Sequence, residues 1–253
     1  MKERKDIADN TLHYAARTMD RAHCLQIARL LDALGVCEIV ADIRSGEELE
    51  AYRSHIKNAA LSICAGMEPE RIASAIRFGA RSIHLEIPAS YPRIYAVFGK
   101  NKDWVKKTLS DCLDLLVKAD VSVSVGLVDA SRAQISFLES LASQFSGVRV
   151  TAFCVKDTLG VQPLSACADL IRAARGFGYP VGYEAHDQLG MAVANTLQAL
   201  KTGAARAYCA LGGVGYACSL TNLLKTARLL FSFDIDRKEA EALDQLFGQL
   251  RKL

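Results

Sequence analysis

A chain of 253 residues with a 51% hydrophobic fraction can bury a substantial core, and its length is that of one barrel-sized domain. The formal charge is +3, with 31 Lys and Arg interspersed among 28 Asp and Glu, which argues against a nucleic-acid footprint or a polybasic membrane patch and leaves small molecules as the expected partners. Eight cysteines occur without a C-x-x-C pair, so free buried thiols in a reducing compartment are expected rather than a disulfide framework or a zinc knuckle.

The amino terminus "MKERKDIAD" is charged and lacks an apolar leader core. No apolar run approaches the roughly 18 residues that a bilayer span needs, so a cytoplasmic protein is expected. The first β-type run, "IADNTL", delivers His13 and Tyr14 just beyond its end. In "MDRAHCLQIARLLDALG" the apolar residues recur at three- and four-residue steps and stop at Gly35, which predicts an amphipathic helix with a glycine terminus. The second run, "EIVADI", leads to Asp42 and Arg44, and "AALSIC" is the third. After the helical "MEPERIASAIRFGA", the fourth run "SIHLEI" carries His84 and Glu86 and precedes Ser90. The helical "DWVKKTLSDCLDLLVKAD" separates it from the fifth, "VSVSVG", which is followed by Asp129 and Arg132. "VRVTAFCV" leads to Lys156, Asp157 and Thr158, "PVGYEA" to Glu184, His186, Asp187 and Gln188, and "ARAYCAL" to "LGGVGYACSLTN".

A strand plus a helix thus recurs roughly every 30 residues, and eight such units predict a closed (β/α)8 TIM barrel over residues 1–235, with an open doubly wound sheet as the alternative. The tail, residues 236–253, reads as one amphipathic helix closing an end of that barrel. In such a barrel, chemistry gathers at the carboxyl ends of the strands, where three of the five histidines fall. Glu184 and His186 flank Ala185, so in a strand both point the same way, as two metal ligands would. Glutamate and imidazole suit zinc, manganese or iron, but stable sites want three or four protein donors, and the two can equally pair with each other or with His13. Lys156 is either a strand-end lysine suited to Schiff-base chemistry or one that points away and pairs with an acid. Asp157 and Thr158 either bind a ligand or serve the turn before Pro163, and Asp129 and Arg132 stand open in the same way. Arg44 is either a carboxylate clamp or a surface ion-pair partner, and His84 a lumenal group or a satisfied buried histidine. Gly212, Gly213 and Gly215 either cradle a phosphate or merely turn.

In this order and spacing, the motifs resemble the acyl-CoA condensing and cleaving barrels: homocitrate synthase, isopropylmalate synthase and hydroxymethylglutaryl-CoA lyase. "DNTLHYA" is similar to their D-x-T-L-R-D-G opening, "KDTLGVQP" to D-T-x-G-x-x-x-P, and "AHDQLGMAVANTLQALKTGA" to H-x-H-N-D-x-G-x-A-x-A-N. "HLEIPASYPRIYAVFGKNKDW" and "VSVGLVDASRA" look most like the homocitrate synthase branch. The resemblance implies a Claisen-type acyl transfer from acetyl-CoA to a 2-oxo acid with a divalent metal (Zn, Mn, Mg or Fe). A divergent aldolase or lyase, or a non-catalytic carboxylate-binding or regulatory barrel, stands as the alternative. His13 and Tyr14 replace the family's carbonyl-polarising arginine and metal-binding aspartate, while Glu184 and His186 fall on its H-x-H pair. Its last ligand, an asparagine, meets Leu220, with Asn222 two residues on. By this resemblance His13, Lys156, Glu184 and His186 are catalytic. Arg44, His84, Ser90, Arg132, Asp157 and Thr158 bind substrate, and Glu184, His186 and Asn222 hold the metal. Lys156 also resembles the carbamylated metal-binding lysine of biotin-dependent carboxyltransferase barrels. The synthases carry a long carboxyl-terminal extension, so a homodimer or a separate subunit supplying that part is expected.

Overall fold

Eight parallel strands close into a barrel in sequence order: β1 (Asp6–Asp9), β2 (Glu38–Ala41), β3 (Ala60–Gly66), β4 (Ser82–Pro88), β5 (Ser122–Val128), β6 (Arg149–Asp157), β7 (Val181–Ala185) and β8 (Arg206–Cys209), with β8 pairing back onto β1. This is a computed structural model, and it describes residues 2–16 and 18–251. The closed barrel expected from the eight apolar runs is what forms, and the open sheet is not. The first run ends sooner than its apolar pattern suggests. Asp9 Oδ1 accepts the Thr11 N–H at 2.8 Å, and a short helix, Thr11–Ala15, begins there. His13 and Tyr14 therefore sit on a helical turn above β1.

The strands alternate between an outer face packed on the helices and an inner face filling the lumen. Ile39, Ile63, Ile83, Leu85, Val123, Val125, Phe153, Val155 and Tyr183 belong to the main core. Inside the barrel, Ala8, Val40, Cys64, Cys154 and Tyr208 make a small apolar layer of their own. Below it Glu38 spans the lumen. Its Oε1 accepts Ser62 Oγ at 2.6 Å and Ser124 Oγ at 2.5 Å, and its Oε2 accepts Arg206 at 2.8 Å and the Tyr208 hydroxyl at 3.0 Å. A fully bonded buried carboxylate is tolerable where an unpaired one is not.

The helices start and stop as their sequences dictate. Asp20 caps Arg21–Leu34, which ends at Gly35, and Asn101 caps Lys102–Ala119. The tail forms the helix Arg237–Leu250, buries Leu243 and Phe247, and packs against Arg21–Leu34 and the turns at Leu211–Tyr216. Glu3–Arg4 pairs with Phe231–Ser232 in a small parallel strip that no sequence pattern announced. All eight cysteines are free thiols, as expected. No described helix is long and apolar enough to cross a membrane.

Candidate active site at the carboxyl ends of the strands

Glu86 on β4, Lys156 on β6 and Glu184 on β7 each stand two residues beyond a lumenal position, His84, Cys154 and Gly182, and so turn into the barrel mouth. Lys156 Nζ lies 2.7 Å from Glu86 Oε1 and 3.0 Å from Glu184 Oε2. Lys156 and Glu184 are buried, whereas the Glu86 side chain keeps 26% of its surface open. Asn10 donates its side-chain N–H to Glu184 Oε2 at 2.8 Å, and the Tyr14 hydroxyl donates to Oε1. His186 Nε2 stands 3.3 Å from Glu184 Oε1 and 3.4 Å from the Tyr14 oxygen. Gly215, with φ +69, packs flat on the Tyr14 ring, where any Cβ would collide. The ends of β1, β4, β6 and β7 and the loop after β8 thus meet in one cluster around Glu184 and Lys156.

The charges decide the protonation of this cluster. Burial alone would discharge Lys156, but Glu184 and Glu86 outweigh it and hold the ammonium well above the ordinary lysine range. Burial would likewise protonate both acids, yet Lys156 holds Glu86 at about 2 and Glu184 well below the usual carboxylate range. Burial, reinforced by Glu184, pushes the Tyr14 phenol well above its normal value, so Tyr14 keeps its proton. Burial lowers His13, whose Nδ1 has no partner among the described residues. The protonated His13 that would stand in for the family's arginine is therefore not the form this environment favours.

One layer down, the network fixes a tautomer. Ser124 has a single hydroxyl proton and gives it to Glu38, so its oxygen must receive the His84 Nδ1–H at 2.8 Å. His84 Nε2 is left as a bare, buried lone pair without a partner among the described residues. Burial and the nearby Lys156 ammonium push this histidine down to about 4, so the ring is neutral. His84 faces the lumen, but it is fully buried and stands under Lys156 rather than at the open mouth.

A divalent cation at the position implied by the resemblance would draw on Tyr14, Glu184, His186 and Asn222, and these residues do not fit one. Tyr14 is a neutral phenol already donating to Glu184, and the other oxygen of Glu184 faces the Lys156 ammonium. Asn222 is exposed on the first turn of the helix Leu220–Ala227, where its backbone N–H meets Ser219 Oγ. A second trio, His13, Cys64 and Glu86, has donor atoms within 4.8 Å of one another. There burial and Glu86 push the Cys64 thiol well above its normal value, and Lys156 already engages Glu86. Metal ligation needs the thiolate.

Other expected site residues have local partners. Arg44 is exposed and pairs with Asp42 at 2.8 Å, the surface ion-pair alternative. Ser90 is buried, caps Tyr91–Phe98 through the Arg93 N–H, and donates to Asp129. Arg132 forks onto the same Asp129, and Thr158 Oγ1 accepts the Asp129 N–H at 2.9 Å. Asp157 Oδ2 accepts the Gln162 N–H at 3.0 Å, which is turn chemistry. These groups lock the loops after β4, β5 and β6. Gly212, Gly213 and Gly215 lie in the turns after β8, all with positive φ. The partners Asn10, Glu38 and Ser124 were not among the expected site residues. Glu86 was placed at the strand end beside His84, whose parity it shares, but was given no role. A cavity of about 680 Å³ opens at the opposite rim, lined by residues such as Arg53, Lys57, Arg81 and Thr151. The site is located here by the buried charges instead, at the end where this architecture gathers its chemistry.

Comparison with known proteins agrees with this placement of the fold. The homocitrate synthase of Frankia alni is 32% identical over 188 residues, which cover 72% of this chain and 54% of that protein. The homocitrate synthase subunit alpha of Clostridium pasteurianum is 27% identical over 213 residues, 81% of this chain and 79% of that protein. The chain spans about half the length of most curated relatives it matches. Among solved structures, the HMG-CoA lyase from Brucella melitensis superposes with a TM-score of 0.84 at 14% identity, covering 99% of this chain and 100% of that one. The HMGL-like family model matches residues 10–236, and the chain belongs to the HMGL-like family.

Proposed function

We propose that this barrel makes a carbon–carbon bond by Claisen-type acyl transfer from acetyl-CoA to a 2-oxo acid, in the manner of the homocitrate synthases it resembles in sequence. The observation that carries the reading is the cluster of buried Lys156, Glu184 and His186 with half-buried Tyr14 at the carboxyl ends of the strands. A barrel kept for its shape alone gains little from a buried ion cluster that costs desolvation. Enolate formation needs a base at the methyl carbon and a positive, donor-rich site for the oxygen. His186, oriented by Glu184, takes the proton, while the Lys156 ammonium, with two of its three N–H groups facing Glu86 and Glu184, supplies the positive charge for the developing oxyanion. The methyl carbon then attacks the 2-oxo carbonyl, and thioester hydrolysis releases CoA. Similarity to a subunit alpha over 79% of its length supports a barrel that works beside a separate polypeptide.

The test is release of free CoA thiol from acetyl-CoA with a panel of 2-oxo acids. Glu184→Gln and His186→Ala are each expected to lower the rate about a hundredfold or more. Absence of thiol release with every acceptor sinks the synthase reading, and full activity in both variants would make the cluster structural.

A further inference from the structure

We propose that the Lys156 ammonium takes the place of the divalent cation implied by the family resemblance, so that the wild-type mouth excludes such a cation and removal of the Lys156 side chain creates a site for one. The inference rests on reading this mouth as the active site for its catalytic meaning only, because cation binding is measured without turnover.

The acceptor positions of Glu184 are already committed. Oε2 faces the Asn10 N–H at 2.8 Å and Lys156 Nζ at 3.0 Å, and Oε1 faces the Tyr14 hydroxyl and His186 Nε2. A cation entering here must displace one of these donors and then stand beside a buried ammonium of like sign. Lys156 is also fixed in place by the fold. The pairing of β6 with β7 sets Lys156 directly beside Glu184, and Glu86 reaches in from β4 at 2.7 Å. Gly126 on β5 supplies the missing volume: a Cβ there would stand 2.7 Å from Lys156 Cε and 3.3 Å from Nζ. The strand beside the lysine is thus hollowed to accept its stem.

Both covalent alternatives for Lys156 fare worse in this setting. Schiff-base formation and carbamylation each need a free amine nitrogen, whereas this one already bridges two carboxylates at 2.7 and 3.0 Å. A carbamate would further put a third anion between Glu86 and Glu184. A single positive charge does fit a site in which Tyr14 replaces an anionic ligand by a neutral one. Hydrogen bonds from an ammonium to two carboxylates are themselves strong and directional.

Shortening Lys156 frees Glu86 and Glu184 together, with His186 beside one and His13 and Cys64 near the other. Two carboxylates with imidazoles form a ligand set suited to Co²⁺, Zn²⁺ or Mn²⁺. The experiment is a titration of apo protein with Co²⁺, read by d–d absorbance and by elemental analysis after desalting, on wild type, Lys156→Ala and Lys156→Ala/Glu184→Gln. The expected results are no bound Co²⁺ in wild type, about one per chain in Lys156→Ala, and loss of that ion in the double variant. One equivalent of Co²⁺ on wild type overturns the proposal whatever the variants do, and a thiolate charge-transfer band would place that ion at Cys64. A folded Lys156→Ala protein that takes up no Co²⁺ overturns it as well. Should the alanine variant fail to fold, Lys156→Gln replaces it and the wild-type titration still decides. Failure of acyl transfer in every assay would leave these metal readings unchanged, which separates this inference from the proposed reaction.

Discussion

Gly126→Ala tests whether Lys156 is held where the charge pairs require it. The added Cβ would stand 2.7 Å from Lys156 Cε, 2.8 Å from His84 Nε2 and 3.3 Å from Lys156 Nζ. His84 resists moving because Ser124 holds its other nitrogen at 2.8 Å, so the lysine must retreat, by roughly 0.7 Å to reach ordinary contact. At an effective dielectric of about 20, lengthening the 2.7 and 3.0 Å ion pairs by that amount costs about 1 kcal/mol each. Against this stands the gain of about 0.4–1 kcal/mol from a less flexible unfolded chain, available because Gly126 does not occupy the left-handed region. The clash wins, and because the 2.8 Å approach to His84 Nε2 adds to it, a net loss of at least about 1–2 kcal/mol is expected. Urea unfolding at pH 7 reads it as a lowered midpoint with an unchanged slope. Gly248→Ala is the control: it sits within the helix Arg237–Leu250 with nothing within 4 Å of its Cβ, and it should stabilise by about 0.5–1 kcal/mol. A Gly126→Ala protein as stable as wild type would mean that Lys156 does not pass this point.

Three further outcomes follow from the same geometry. Asp9 is fully buried with Oδ2 unpartnered among the described residues, and burial raises it from 3.8 to about 7 despite the hydrogen bonds from Thr11. Because its folded value lies above the unfolded one, the stability it confers is complete below pH 3.8 and is lost as pH rises through about 7. Asp9→Asn should flatten this fall, which approaches about 1.4 kcal/mol per pH unit, in urea midpoints taken from pH 5 to 8; identical pH profiles would refute the assignment. For His84, nitrogen NMR should show the Nδ1–H tautomer, neutral down to about pH 4, whereas Ser124→Ala should release that preference. An Nε2–H tautomer in the wild type would break the Glu38–Ser124–His84 chain. Finally, Asn222→Ala should leave stability within about 0.5 kcal/mol and thiol release unchanged, since the residue is exposed. A large loss of activity would restore it to the site.

The barrel was legible because its signal is local: eight short β-branched or apolar runs separated by amphipathic segments, each readable within one window. Parity within a strand was legible too, which is why Glu184 and His186 were expected to share a face, and the mouth does unite them. What parity cannot supply is the partner. Glu38 meets Ser124 across 86 positions of sequence, and Lys156 meets Glu86 across 70. Those pairings depend on the stagger between strands, which no single segment encodes. The strand-end residues Ser90, Asp157 and Thr158 illustrate the converse difficulty. A short polar side chain where a strand gives way to a loop can cap, brace or bind with the same chemistry, and its neighbours alone decide which. Here Asp129, held at φ 63, draws Ser90, Arg132 and Thr158 to itself.

Tyr14 and Lys156 carry the most consequential information, and neither is informative alone. Tyrosine in place of the family's aspartate reads by itself as a lost metal ligand, and a strand-end lysine reads by itself as a nucleophile or a surface ion-pair partner. Placed on the two oxygens of Glu184, they describe one change. A neutral phenol removes a negative charge from the helical turn above β1, and an ammonium on β6 supplies one positive charge where a metal would supply two. A centre of lower charge needs fewer anionic ligands, so Tyr14 and Lys156 support each other electrostatically. By that logic, restoring the aspartate alone, as Tyr14→Asp, should not restore a metal site, because Lys156 would still occupy the second oxygen of Glu184. The pair Tyr14→Asp and Lys156→Ala should bind Co²⁺ more tightly than Lys156→Ala alone, and equal affinity in the two would show that Tyr14 and Lys156 act independently.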